Sequence, residues 1–191
     1  MAETNPAKRA RAADKSNVFR DYEERFTATP DPWAEIVRLD HGTDRTFGST
    51  VRAMVMNAEP AQRPAMETKL LAALARPEAT DVARLFACRM LALIGSAKAV
   101  PALTALLADA KTADAARYAL DAIDDPAAGD VLRGALEKLS GPAKAGLIGS
   151  IALRGDAKAV PALAAIKARA SEPAVVRTAA TRALERLNAK A

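Results

Sequence analysis

A nine-residue stretch of this 191-residue chain occurs twice. Gly95-Ser96-Ala97-Lys98-Ala99-Val100-Pro101-Ala102-Leu103 returns sixty positions later as Gly155-Asp156-Ala157-Lys158-Ala159-Val160-Pro161-Ala162-Leu163, and only Ser96 and Asp156 differ. A degenerate copy lies between them, near Pro126-Ala127-Ala128-Gly129-Asp130-Val131-Leu132, so the period is about 30 residues. Self-similarity at that spacing marks a repeat array, in which each unit buries its apolar face only against its neighbours.

The unit is helical. Half of the residues are apolar but only 4% are aromatic, and much of the apolar share is alanine, the strongest helix former. Strands draw instead on β-branched and aromatic side chains. A cap at Ser16 followed by Phe19, Tyr22 and Phe26 predicts one helix. Asp31-Pro32 starts another, with a cap residue ahead of a proline at the first helical position; Trp33, Ile36 and Val37 make its stripe, and Gly42 stops it. A third carries Phe47, Val51, Met54 and Val55. From Glu59 the apolar residues recur at helical spacing: Met66, Leu70 and Leu74 up to Pro77; Val82, Phe86, Met90, Leu93 and Ile94 up to Gly95; then Val100, Leu103 and Leu107. Ala116, Ala119, Leu120 and Ile123 follow over about 111–123. Val131, Leu132, Ala135, Leu136 and Leu139 come next, then Leu147, Ile148, Ile151 and Ala152 up to Gly155. Val160, Leu163 and Ile166 precede a last helix with Val176, Ala180, Ala183, Leu184 and Leu187.

The expected organisation is a disordered tail over 1–16, polar and without periodicity, an N-terminal helical cap over 17–58, and a helical-repeat array over 59–191. Terminal units of such arrays need a different surface, which accounts for the aromatics near the start. The competing reading of the same residues is a docking head anchored by Trp33.

A repeat of about 30 residues carrying Gly-(Asp/Ser)-x-x-Ala-Val-Pro-Ala-Leu resembles the short HEAT repeat, the variety also found in phycobilin lyases and deoxyhypusine hydroxylase. That repeat usually opens its second helix with a basic residue eleven positions before the closing glycine. Arg84 before Gly95 and Lys144 before Gly155 match; Arg177 has the same offset from Asn188, while Ala113 and Asp124 depart from the pattern. The runs Lys69-Leu70-Leu71-Ala72-Ala73-Leu74, Phe86 to Gly95 and Ala116 to Leu120 are similar to bacterial HEAT proteins, often exported and multidomain. The resemblance covers roughly 60–188. It implies an all-α protein, an α-solenoid (α-α superhelix) of about four HEAT-like hairpins behind the cap, and no particular activity.

Catalytic and cofactor constellations are missing from the sequence. The hydroxylase relatives hold two irons with His-Glu pairs, whereas His41 is the sole histidine here; one His and one Cys supply no metal-ligand spacing. His41, followed by Gly42, reads as a cation at a helix C-terminus. Cys88 lies in an apolar helical run and reads as a buried thiol with no imidazole nearby in sequence to activate it. No glycine-rich phosphate loop occurs, and Gly146-Leu147-Ile148-Gly149 reads as helix packing. Asp124-Asp125 and Glu23-Glu24 read as solvated pairs rather than a general acid and base. No cofactor and no enzymatic activity are expected.

Charge is uneven within a net +5: residues 151–191 hold eight Lys and Arg against three Asp and Glu. A local basic excess suits an acidic partner but falls short of the continuous stripe a nucleic-acid binder shows. In a HEAT solenoid the second helices line the concave face, so Arg89, Arg117, Tyr118, Lys144, Arg177 and Arg182 are the candidate partner-binding residues. Pairing of the same basic groups with turn aspartates such as Asp109, Asp125 and Asp156 is the competing reading. The expected function is a non-enzymatic scaffold or adaptor that binds another protein through that face. The alternatives are a nucleic-acid binder of the DNA-glycosylase type and a phycobilin-lyase-like or chaperone subunit. No apolar run is long enough to span a membrane, and Met1 to Arg11 lack the apolar core of a signal peptide. The chain as given is therefore expected in the cytoplasm, or exported if a leader has been trimmed.

Overall fold

A computed structural model describes residues 30–189. The expectations that fall on the tail and on Ser16, Phe19, Tyr22 and Phe26 lie outside these residues. Among the described residues every regular element is helical: α1 (Pro32–Glu35) running on into a 3₁₀ turn (Ile36–Arg38), α2 (Thr46–Met56), α3 (Arg63–Leu74), α4 (Asp81–Ile94), α5 (Val100–Leu106), α6 (Ala113–Ala122), α7 (Pro126–Gly134), α8 (Gly141–Arg154), α9 (Val160–Ala168) and α10 (Ala174–Asn188). Residues 32–189 belong to one compact unit.

The repeated stretch opens the first helix of a hairpin. Ser96, Asp125 and Asp156 are equivalent caps, each side-chain oxygen accepting from the N–H two residues on, that of Lys98, Ala127 and Lys158. This satisfies a donor that a helix start leaves without a partner. The caps align Ala99 with Ala128 and Ala159, and Leu103 with Leu132 and Leu163, and all six are fully buried. The middle copy is thus read from Asp125, one residue before the proline that the sequence makes conspicuous. The two closing glycines serve different ends. Gly155 stands at φ +71 in the left-handed region that favours glycine, whereas Gly95 is extended and brings its backbone so close to the Leu91 carbonyl that a Cβ would lie 2.4 Å from that oxygen.

The unit between them lacks a glycine, and an arginine from the next hairpin closes its second helix. Arg154 donates to the carbonyls of Leu120 and Asp121 at 2.9 Å and of Asp125 at 3.0 Å. Carbonyls at a helix C-terminus have no intrahelical partner, so a guanidinium there does the work of a capping turn.

Within hairpins α3 packs on α4, α5 on α6, α7 on α8 and α9 on α10. Between hairpins the second helices lie against one another in chain order: α2 on α4, α4 on α6, α6 on α8 and α8 on α10. Ala87, Ala116, Leu147 and Ala180, equivalent residues eight positions before Gly95, Asp124, Gly155 and Asn188, are all buried along these contacts. Alanine at three of the four keeps neighbouring axes close.

Two apolar residues differ from expectation. Leu93 is 52% exposed and Met54 40% exposed. In α4 the buried residues are Ala83, Ala87, Cys88, Met90, Leu91 and Ile94, and at about 100° per residue Leu93 falls off that stripe. Residues 32–58 belong to the same core as the repeats. Trp33, Ile36, Val37, Val51 and Val55 are buried in one cluster with Leu70 and Leu91, the Lys69 ammonium lies 5.2 Å from the Trp33 ring centroid, and Thr80, the cap of α4, bonds the Leu39 carbonyl. Trp33 is therefore a core residue, not an exposed anchor. His41 sits past the end of the 3₁₀ turn, in an exposed turn ahead of Gly42.

Candidate functional site

The six basic and aromatic candidates divide by their position on the second helices. Arg89, Tyr118 and Arg182 stand six positions before Gly95, Asp124, Gly155 and Asn188, and Gly149 fills the fourth place. All four are exposed, Tyr118 by 57%. One turn further on, two positions before the same closing residues, Leu93, Ala122, Leu153 and Arg186 are exposed as well, Leu153 by 55%. The two rows meet in space where α8 and α10 touch. Gly149, Ala152 and Leu153 face Ala179, Arg182, Ala183 and Arg186 across a shallow groove of about 320 Å³.

Arg117, Lys144 and Arg177 do not join this surface. Arg117 donates to Ser150 Oγ at 2.7 Å and reaches Asp114 at 3.4 Å, lying between α6 and α8 over Gly146. Asp121 shares that cleft; burial raises its carboxyl above the usual range against the opposing pull of Arg154, Arg117 and a Ser150 hydrogen bond. Lys144 corrects the expectation most sharply. It is 3% exposed, and its ammonium is paired at 2.5 Å with Glu172 in the turn before α10, so it cannot meet a partner. Arg177, although exposed, stands five positions before Arg182 and so lies well round α10 from the Arg182–Arg186 row.

Much of the remaining basic charge is structural too. Arg133 bridges Asp130 and Asp156, Arg84 reaches Asp81 at 3.6 Å, and Arg169 holds Glu137 and Glu172 at 3.2 Å each. Among the described residues Arg89, Arg182 and Arg186 make no such ion pair.

Leu93, Leu153 and Arg186 were not among the sequence candidates. Their offset from the closing residues of the repeat is a usable signal, because a large apolar side chain recurring just off the buried stripe is apolar for a reason other than the core.

Gly149 adds to this surface. A Cβ on it would meet nothing within 4 Å, so packing inside the chain does not require glycine there, yet glycine inside a helix costs about 0.8–1 kcal/mol relative to alanine. Gly149→Ala is expected to raise the unfolding free energy by about 0.5–1 kcal/mol in a urea titration.

Cys88 is fully buried, and burial pushes its thiol up to about 11. Since the thiolate is the nucleophile, DTNB at about pH 8 is expected to leave the native protein unmodified and to titrate one thiol once it is unfolded. Rapid modification of the native protein would contradict that burial.

Among the described residues no three His, Cys, Asp or Glu side chains converge in a way that would hold a metal ion, and no helix is long and apolar enough to cross a membrane. No protein-family model matches the chain, and neither does any curated protein or solved structure.

Proposed function

We propose that this chain is a non-enzymatic α-solenoid of the short HEAT type that holds another protein on the exposed face of its second helices. The observation that carries the reading is the row itself. Leu93, Tyr118 and Leu153 project from successive second helices with 52%, 57% and 55% exposure, while Leu91, Leu120 and Ile151 beside them are fully buried. Single exposed apolar residues are ordinary, but Leu93 and Leu153 share one repeat position and Tyr118 stands one helical turn before it, so exposed apolar residues recur on successive second helices, as they do at interaction sites. Arginine and tyrosine, present here as Arg89, Tyr118, Arg182 and Arg186, are enriched where interfaces concentrate their binding energy.

Lys144, Arg133 and Arg169 are paired within the chain, whereas Arg89, Arg182 and Arg186 are exposed and make no ion pair among the described residues, so the basic groups of these rows are among those available to a partner. Helical repeats whose units meet only their neighbours also suit an extended binding face rather than an enclosed reaction site.

The test is site-specific photocrosslinking in cells, with a benzophenone side chain at Tyr118 or Leu153 and, as control, at Thr104 or Ala164 on the first helices. Discrete adducts with a polypeptide are expected from the first pair and not from the second. Adducts from both pairs alike, or from neither, would refute the assignment of the face.

A further inference from the structure

Resting on that protein-binding reading, we infer that the groove between α8 and α10 takes an acidic amphipathic helix of the partner, its apolar side chains over Leu153 and the alanine floor and its carboxylates on Arg182 and Arg186. Both arginines line the groove, and neither has a carboxylate within ion-pair distance among the described residues, whereas Arg84, Arg117, Arg133, Lys144 and Arg169 all do. An arginine presents a planar fork of donors that matches a carboxylate in two parallel hydrogen bonds. Two such forks one helical turn apart, beside an apolar floor, are complementary to a helix with acids flanking an apolar stripe.

The floor favours a helix over an extended peptide. The described residues are helical and loop, with no strand edge to which a peptide backbone could add, so recognition falls to side chains lying in a groove. Gly149, Ala152, Ala179 and Ala183 are small enough to admit a close approach, and the open space above Gly149 leaves room for an incoming side chain. A nucleic acid fits less well. A phosphate backbone following the row from Arg182 towards Arg89 would pass Leu153 and then Asp114, whose carboxylate-bearing side chain is 88% exposed beside Tyr118.

The experiment uses the full chain and three fluorescent probes: a helical peptide of about eighteen residues, roughly 27 Å long, with leucines on one stripe flanked by glutamates; the same peptide with lysine for every glutamate; and a single-stranded oligonucleotide of equal net charge. Anisotropy titrations are expected to show saturable binding of the glutamate peptide alone. Arg182→Glu with Arg186→Glu is expected to weaken that binding about tenfold or more and to confer binding of the lysine peptide. Gly149→Trp, which fills the groove without touching charge, is expected to weaken it as well. Far-ultraviolet circular dichroism identical to that of the unsubstituted chain would show that each variant is folded. The inference is overturned if the glutamate peptide does not bind, if both peptides bind alike, if the oligonucleotide binds as tightly as the glutamate peptide, or if the double charge reversal changes nothing. In any of these cases persistent crosslinks from positions 118 and 153 would leave the protein-binding face standing and remove only the acidic helix; loss of those crosslinks would remove both.

Discussion

Leu120→Asp is expected to destroy the cooperative unfolding transition. Leu120 lies in α6, the third of the five second helices, and is fully buried. Removing a leucine from such a site costs about 2–5 kcal/mol through lost burial and the cavity left behind. Placing a carboxylate there without a partner adds several kcal/mol more, whether the group stays charged or takes up a proton. A domain of this size has roughly 5–15 kcal/mol of stability in all, and a repeat array depends on each interface between neighbours. Ile151→Asp in α8, also fully buried, should behave in the same way. Leu93→Asp is the internal control: its site is 52% exposed, so its midpoint should stay within about 0.5 kcal/mol of the unsubstituted protein. Thermal or urea unfolding followed by circular dichroism separates these outcomes. A Leu120→Asp curve superposable on the unsubstituted one would contradict the burial of α6.

Lys144→Met is expected to destabilise the protein by about 3 kcal/mol, in the range seen when one member of a buried ion pair is removed. The Lys144 and Glu172 side chains are only 4% and 9% exposed. Without the ammonium, Glu172 would retain the exposed Arg169 at 3.2 Å and remain largely desolvated. Replacing both residues, Lys144→Met with Glu172→Leu, should bring stability back to within about 1 kcal/mol, because two apolar side chains of similar volume no longer strand a charge. The coupling free energy from this double-mutant cycle is the quantity to measure. If the two single losses simply add, the pair is not an interacting one, and Lys144 would return to the list of residues free to meet a partner.

Helix positions were legible wherever the cause is local. The caps Ser96 and Asp156 sit inside a stretch that repeats almost letter for letter, and the buried leucines at 103, 132 and 163 follow from the period. The apolar stripe places Leu93 in the core because a run of apolar letters does not distinguish the core-facing line from one about 100° away; its counterpart Leu153, at the same offset from Gly155, holds the information that corrects it. Arg89, Tyr118 and Arg182 share a row because the offset from the closing residue fixes the face. Lys144 and Arg117 could not be sorted in this way. Their surroundings depend on Glu172 and Ser150, some thirty residues away in the next hairpin, and no pattern within one helix shows which basic residue finds such a partner. Arg154 is a third case: it occupies the position of Ile94 and Ile123 yet stays in the interface, because the α6 carbonyls need donors.

Double electron–electron resonance between spin labels at positions 89, 149 and 182, in a chain with Cys88→Ala, tests the ordered row of second helices most directly. Packed helices lie 8–10 Å apart, so position 149 is two steps from 89, about 16–20 Å, and position 182 is three, about 24–30 Å. The 89–182 separation is expected to exceed the 89–149 separation by about one helix spacing. Equal separations, or a shorter 89–182 distance, would mean that the helices close on themselves and present no continuous face to a partner.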